Sequence, residues 1–262
     1  MSAELIWADD RLVPRADATI PVDDSAFADG RGCYTSVRIA AGRPRFEARH
    51  LRRLARGAKA LALGDFDPEL ARRALHALAA ALPGREGAVR LQLSRDPRRG
   101  LRLVGIPRGL GADPPVWTAI RAPHVHEGPL VAGGHKLTNR LLHVLAADAA
   151  HAAGADEALL FDRDGYLVEA SRSNVLLVDA DERLVSPPLS RGAVAGVALE
   201  VVAERLPLMW RDVRPLQLVA ARALFAVNAV RGVRPIARLD GEPVGDPSHP
   251  WAARLAEALA RD

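Results

Sequence analysis

Of the 36 Lys and Arg residues in the chain, only Lys59 and Lys136 are lysine. In a sequence so rich in Arg and Ala, arginine serves wherever a surface cation will do. A retained lysine therefore hints at an amine that must lose its proton, which a guanidinium cannot do. Lys59 falls in an amphipathic stretch and reads as an ordinary surface residue. Lys136 stands in Gly133-Gly134-His135-Lys136-Leu137-Thr138-Asn139-Arg140, ahead of a helical pattern, where two glycines let the backbone pass close to a ligand. A neutral amine there can form a Schiff base with an aldehyde; the plain alternative is a surface lysine at a helix start.

Other residues suit anion or heterocycle binding. Glu169 precedes Ala170-Ser171-Arg172-Ser173-Asn174, and a carboxylate amid small hydroxyl residues can hold a protonated ring nitrogen. Gly192-Ala193-Val194-Ala195-Gly196-Val197 ends at a predicted helix N-terminus, where free amides and the helix dipole favour a phosphate. Asn228-Ala229 follows a predicted buried strand and offers a second set of amides. Arg53, in His50-Leu51-Arg52-Arg53-Leu54, suits bidentate phosphate binding, and Arg95, Arg98 and Arg99 share a loop suited to carboxylates. For each of these the alternative is an ordinary loop, turn or solvated helix face. The eight histidines show no metal-ligand spacing.

The elements needed to position these groups are legible in outline. Short strands are predicted at 5–7 and 11–13 around the turn Asp9-Asp10, and at 34–40. Helical spacing runs through 46–63, and Asp67-Pro68 starts a second helix to about Leu82, stopped by Pro83-Gly84. Strands follow at 88–94 and 101–106, then a Gly/Pro-rich linker at 107–115. Beyond it come a strand at 116–122, a helix at 141–153, strands at 158–161, 166–168 and 174–178, a helix at 197–206, strands near 224–227 and 233–239, and a last helix from about Pro250. This describes two mixed α/β domains, 1–110 and 111–262, with Lys136 on the second.

Composition removes other classes. The 262 residues are 49% hydrophobic and 26% charged, which excludes a disordered chain. No apolar run reaches the ~18–20 residues of a membrane helix, and the acidic N-terminus does not read as a signal peptide. Cys33 is the single cysteine, excluding an internal disulfide and a cysteine metal cluster. Net charge is only +4 with interspersed signs, and aromatics are 4%, against nucleic-acid binding. The expectation is a soluble cytoplasmic protein.

In this order, from Cys33-Tyr34-Thr35-Ser36-Val37-Arg38 to Pro235, the chain resembles the fold-type IV pyridoxal-phosphate enzymes. These include branched-chain and D-amino-acid aminotransferases and aminodeoxychorismate lyases. The resemblance implies pyridoxal 5'-phosphate as cofactor, a small-molecule substrate and a homodimer. It implies that Lys136 holds the cofactor covalently, Glu169 pairs with the pyridine nitrogen, Arg53 binds the phosphate with Val197, Ala198 and Ala229, and Val194 packs on the ring. Ala198 and Ala229 lack hydroxyls, so phosphate contacts there are backbone-only. The segment from His135 to Leu141, the Asn228-Ala229-Val230 triplet and a hydroxyl at Ser36 look more like the lyase than the aminotransferases. On that reading Lys136 and Ser36 are catalytic, and Tyr34, Arg99, Arg140 and Asn228 contact substrate.

Overall fold

The computed structural model describes residues 5–129 and 133–262. Contacts divide the chain into two compact units: the first is 1–113 with 135–139, the second 114–134 with 140–262.

The first unit holds β1 (Leu5–Ala8), β2 (Arg11–Pro14), α1 (Ser25–Ala28), β3 (Cys33–Ala40), β4 (Arg43–Pro44), α2 (Glu47–Ala60), α3 (Pro68–Ala81), β5 (Gly87–Asp96) and β6 (Gly100–Arg108). Its strands form one sheet in the order β2-β1-β6-β5-β3-β4. Alternation gives the sheet two chemistries. Cys33, Val37, Ile39, Val89, Leu91 and Leu93 face α2 and α3, where Leu54, Leu75 and Leu78 complete a closed core. Each such side chain contributes roughly 1.5–3 kcal/mol when fully buried. Tyr34, Ser36 and Arg38 take the other face, opposite Gln92, Arg90 and Ala88. Asp67 caps α3 by accepting from Glu69 N at 2.8 Å, with Pro68 at the first turn. The expected linker begins late, because Pro107 and Arg108 still pair with Val89 and Ala88.

Gly57 lies within α2, a position where glycine costs about 1 kcal/mol relative to Ala. Its reason is contact: a Cβ there would sit 2.7 Å from Cys33 Sγ. Gly57→Ala is expected to lower stability by about 1–2 kcal/mol, overpacking outweighing the gain in helix propensity. Urea unfolding checks this, and Gly57→Ala combined with Cys33→Ala should recover most of the loss.

The second unit holds β7 (Trp117–His126), α4 (Leu141–Ala152), β8 (Glu157–Asp162), β9 (Leu167–Ala170), β10 (Asn174–Val178), β11 (Leu184–Ser186), α5 (Val197–Arg205), β12 (Leu208–Trp210), α6 (Pro215–Val219), β13 (Ala223–Asn228), β14 (Gly232–Leu239), β15 (Glu242–Pro243) and α7 (Trp251–Ala260). The sheet order is β12-β11-β10-β13-β14-β7-β8-β9, with β15 on β14. β14, β7 and β8 run parallel, the rest mostly antiparallel. The central strands are buried on both faces, so β10 and β13 read as continuous apolar runs. α4 lays Ala146 and Ala150 on Ala158 and Leu160 of β8.

Candidate active site

In the first unit, several of the candidate residues lie on or beside β3. The backbone of residues 135–139 runs antiparallel to the start of this strand: Tyr34 N donates to Lys136 O and Thr138 N to Gly32 O, both at 2.9 Å. Gly32 makes that approach possible, since a Cβ would sit 2.9 Å from Thr138 Oγ1 and 2.8 Å from Leu93 O. These bonds carry Lys136 with the first unit, whereas the sequence placed it on the second domain. Lys136 Nζ lies 5.0 Å from the centre of the Tyr34 ring, and the Arg90 guanidinium lies 3.9 Å from it. Ser36 is two residues along β3, so its hydroxyl shares the face of Tyr34. Arg90 was missed in the sequence; pairing opposite Ser36 is what reveals it, and its Nη2 donates to Gln92 Oε1 at 2.8 Å.

On the opposite face of β3, Arg53 is buried. Its Nη2 and Nε donate to Thr35 Oγ1 at 2.5 and 3.2 Å, and Thr35 Oγ1 lies 2.6 Å from His50 Nδ1. Burial, then the charges of Arg53 and Lys136, holds the His50 pKa well below its ordinary value, so this imidazole is neutral. Arg99, expected to contact substrate, lies in an exposed loop. It is exposed and paired with Asp9 at 2.8 Å, because Asp96 Oδ1 accepts from the Arg98 and Arg99 amides and turns the loop outward.

The expected carboxylate and amides lie in the second unit. Glu169, in β9, is buried. Its Oε1 lies 2.9 Å from His143 Nε2, and its Oε2 accepts from Val194 N at 3.0 Å. The hydroxyls beside it in sequence do not serve it. Ser171 and Ser173 point to Glu157, on β8, with Ser173 Oγ donating to Oε2 at 2.9 Å. The reason is that β9 ends at Ala170 and the chain turns at Ser171, so the hydroxyls leave the face that carries Glu169.

α5 begins at Gly196 without a side-chain cap, so the amides of Val197 and Ala198 are offered to an anion. A Cβ on Gly196 would sit 2.0 Å from Asn174 Oδ1, and Asn174 Nδ2 donates to Val194 O at 2.9 Å. Asn174 thus fixes the loop that carries Val194. Ala229 sits in the turn after β13. The side chain of Asn228 is engaged in that turn: Oδ1 accepts from Val230 N at 3.0 Å and Arg231 N at 2.8 Å, and Nδ2 donates to Ser173 Oγ at 3.0 Å. Arg140 occupies the position before α4.

Glu157 has a measurable consequence of its own. Burial raises its pKa above the ordinary carboxylate value, outweighing the Ser171 and Ser173 hydrogen bonds and the Arg172 charge that lower it. A raised folded-state pKa means the native state holds the proton more tightly, so stability is present at low pH and falls as pH rises through the ordinary range. Glu157→Gln should remove that loss. Relative to wild type its stability should rise as the pH is taken above the ordinary carboxylate range, read by urea unfolding at a series of pH values.

The chain belongs to the class IV aminotransferase family: residues 32–239 match the family described as Amino-transferase class IV. It is 30% identical to 4-amino-4-deoxychorismate lyase from Pseudomonas aeruginosa, with a TM-score of 0.84 over 97% of this chain and 98% of that one. It is 27% identical over 263 residues to D-alanine aminotransferase from Listeria innocua, covering 92% of this chain and 89% of the relative. A hypothetical aminotransferase from Mycobacterium tuberculosis, in its PLP-bound form, shares the fold at 21% identity, with a TM-score of 0.85 over 97% of each chain. The architecture is thus the mixed α/β fold-type IV arrangement, with two sheets, and the protein is a pyridoxal-phosphate-dependent enzyme of class IV. Each unit by itself holds groups of a chemistry that suits this cofactor: in the first a lysine amine beside an aromatic face, in the second a buried acceptor held by two donors and an uncapped helix start. Among the described residues no helix is long and apolar enough to cross a membrane.

Proposed function

We propose that this protein is a 4-amino-4-deoxychorismate lyase, releasing pyruvate and p-aminobenzoate. The observation that carries the reading is Ser36, whose hydroxyl β3 sets on the same face as Tyr34, the ring beneath Lys136. A hydroxyl there can direct a proton during elimination. The 30% identity to the Pseudomonas aeruginosa lyase supports it.

When bound, pyridoxal phosphate supplies an aldehyde that condenses with amines and a ring that accepts electrons. Lys136 Nζ is the amine that holds it between turnovers. With its amine free, Lys136 would act as the base for the proton on the amine-bearing carbon of the substrate. Glu169 would accept from the pyridine N–H and keep that nitrogen cationic. Val194 would pack on the ring, while Arg53 and the Val197, Ala198 and Ala229 amides would hold the phosphate. Arg90 and Arg140 take substrate carboxylates, Tyr34 lines the substrate, and Ser36 and Lys136 deliver the proton as the bond to the enolpyruvyl oxygen breaks. The ring aromatises and the enolpyruvyl group leaves as pyruvate, with no water consumed. We read the working form as a homodimer; α4 turns Leu141, Val144 and Leu145 outward, an apolar face a second copy would cover.

The second reading is an aminotransferase of D- or branched-chain amino acids, favoured by the match to D-alanine aminotransferase over 92% of this chain. It uses the same Lys136 and Glu169. Purified enzyme given enzymatically generated aminodeoxychorismate, with no keto acid, separates the two. Equal release of pyruvate and p-aminobenzoate is expected. No release, with keto-acid-dependent conversion of D-alanine or a branched-chain amino acid, would assign the aminotransferase.

A further inference from the structure

Three titratable side chains from three elements meet in the second unit: His126 at the end of β7, His143 in α4 and Glu169 in β9. His143 Nε2 and Glu169 Oε1 are 2.9 Å apart, with the two side chains 22% and 4% exposed. An ionised carboxylate can only accept, so the hydrogen between them rides on Nε2. Val194 N–H holds the other oxygen at 3.0 Å. The His126 ring stands edge-on to His143, centroids 6.1 Å apart at 89°. His126 Nδ1 accepts from Gly128 N at 3.0 Å, and burial lowers its pKa.

We propose that His143 is a positioning residue for Glu169, fixing the carboxylate that faces the pyridine nitrogen. The proposal rests on the reading of Glu169 given above. With Val194 as its single donor, the carboxylate could turn about its last torsion. A second donor, from a different element and on the other oxygen, removes that freedom. Each oxygen still keeps a lone pair for the ring N–H, so the anchor consumes none of the capacity the cofactor needs. A helix residue makes a rigid anchor because Ala146 and Ala150 clamp α4 to the sheet. The three ligand atoms also lie within 4.8 Å of one another, as a cation site would require. Against that use, His143 and Glu169 already satisfy each other, and a metal would have to displace the hydrogen between them.

The test titrates wild-type, His143→Leu, His143→Gln and Glu169→Gln apoproteins with pyridoxal phosphate, following absorbance of the bound chromophore. His143→Leu should bind about tenfold more weakly or worse, the usual loss for a hydrogen bond to a charged group, with an altered absorbance spectrum. His143→Gln, which carries an N–H donor on a side chain of similar reach, should restore most of the affinity and the wild-type spectrum. A purely structural role for His143 would leave the spectrum unchanged and would show no rescue by Gln. Wild-type affinity and spectrum in His143→Leu, with Glu169→Gln impaired, would overturn the proposal alone. Wild-type behaviour of Glu169→Gln would overturn the reading of Glu169 and the proposal with it. Stoichiometric Zn2+ binding by wild-type apoprotein, abolished by His126→Ala, would assign the cluster to a cation instead.

Discussion

Lys136→Ala should lose both turnover and the covalently held chromophore, with the rate falling by about a thousandfold or more. Two functions disappear with one amine: the attachment that presents the cofactor to the incoming substrate, and the base that takes the substrate proton. Lys136→Arg should be equally inactive, since a guanidinium keeps its charge and cannot attack an aldehyde. The fold should survive either change, because the segment is held by backbone bonds, Tyr34 N to Lys136 O and Thr138 N to Gly32 O. Absorbance of the purified protein and product release under single-turnover conditions check the prediction. A Lys136→Ala protein with wild-type turnover would remove the mechanism entirely.

Glu169→Gln should cost roughly a hundredfold to a thousandfold in rate, the scale seen when one pre-set electrostatic contact is lost. Charge is one reason, as a neutral amide does little to keep the pyridine nitrogen protonated. Geometry is the other. Glu169 meets two donors, His143 Nε2–H and Val194 N–H, and a glutamine offers an acceptor to only one of them. Its amino group must face the other donor or turn away. Steady-state rates, with thermal unfolding as a control for folding, test this; an unchanged rate in a folded variant would exclude Glu169 from the chemistry.

Much of this arrangement can be read from residue types. Lys136 stands out through scarcity, and the alternation of β3 separates Tyr34 and Ser36 from Val37 and Ile39 before any coordinates exist. Asp67-Pro68 marks the start of α3 because capping and a fixed φ act within a few residues. The elements that escape are those created by their neighbours. β11 and β12 span three residues each, too few for a period, and exist because they pair with each other and with β10. The short α1 and α6 likewise lack a repeat.

Side-chain partners are harder still. Arg99 reads as a substrate contact until Asp9, 90 residues away, is seen to take it. Ser171 and Ser173 look like companions of Glu169, yet β9 ends at Ala170 and the turn that follows gives them to Glu157. The meeting of His126, His143 and Glu169 has no sequence period, because it depends on how β7, β8 and β9 are registered and on where α4 crosses them.

Cys33 offers an experimental handle of a different kind. Burial pushes its thiol pKa up to about 12, and it packs against Gly57. In the closed state it should therefore resist alkylation, and a reagent would reach it only when α2 lifts from β3. As the chain's single sulfhydryl, it makes the native protein its own clock. Its modification rate counts the openings of the wall that backs Tyr34 and the Lys136 segment, with no label to introduce. Any slowing of that rate by pyridoxal phosphate would measure how far cofactor binding stiffens the strand beneath it.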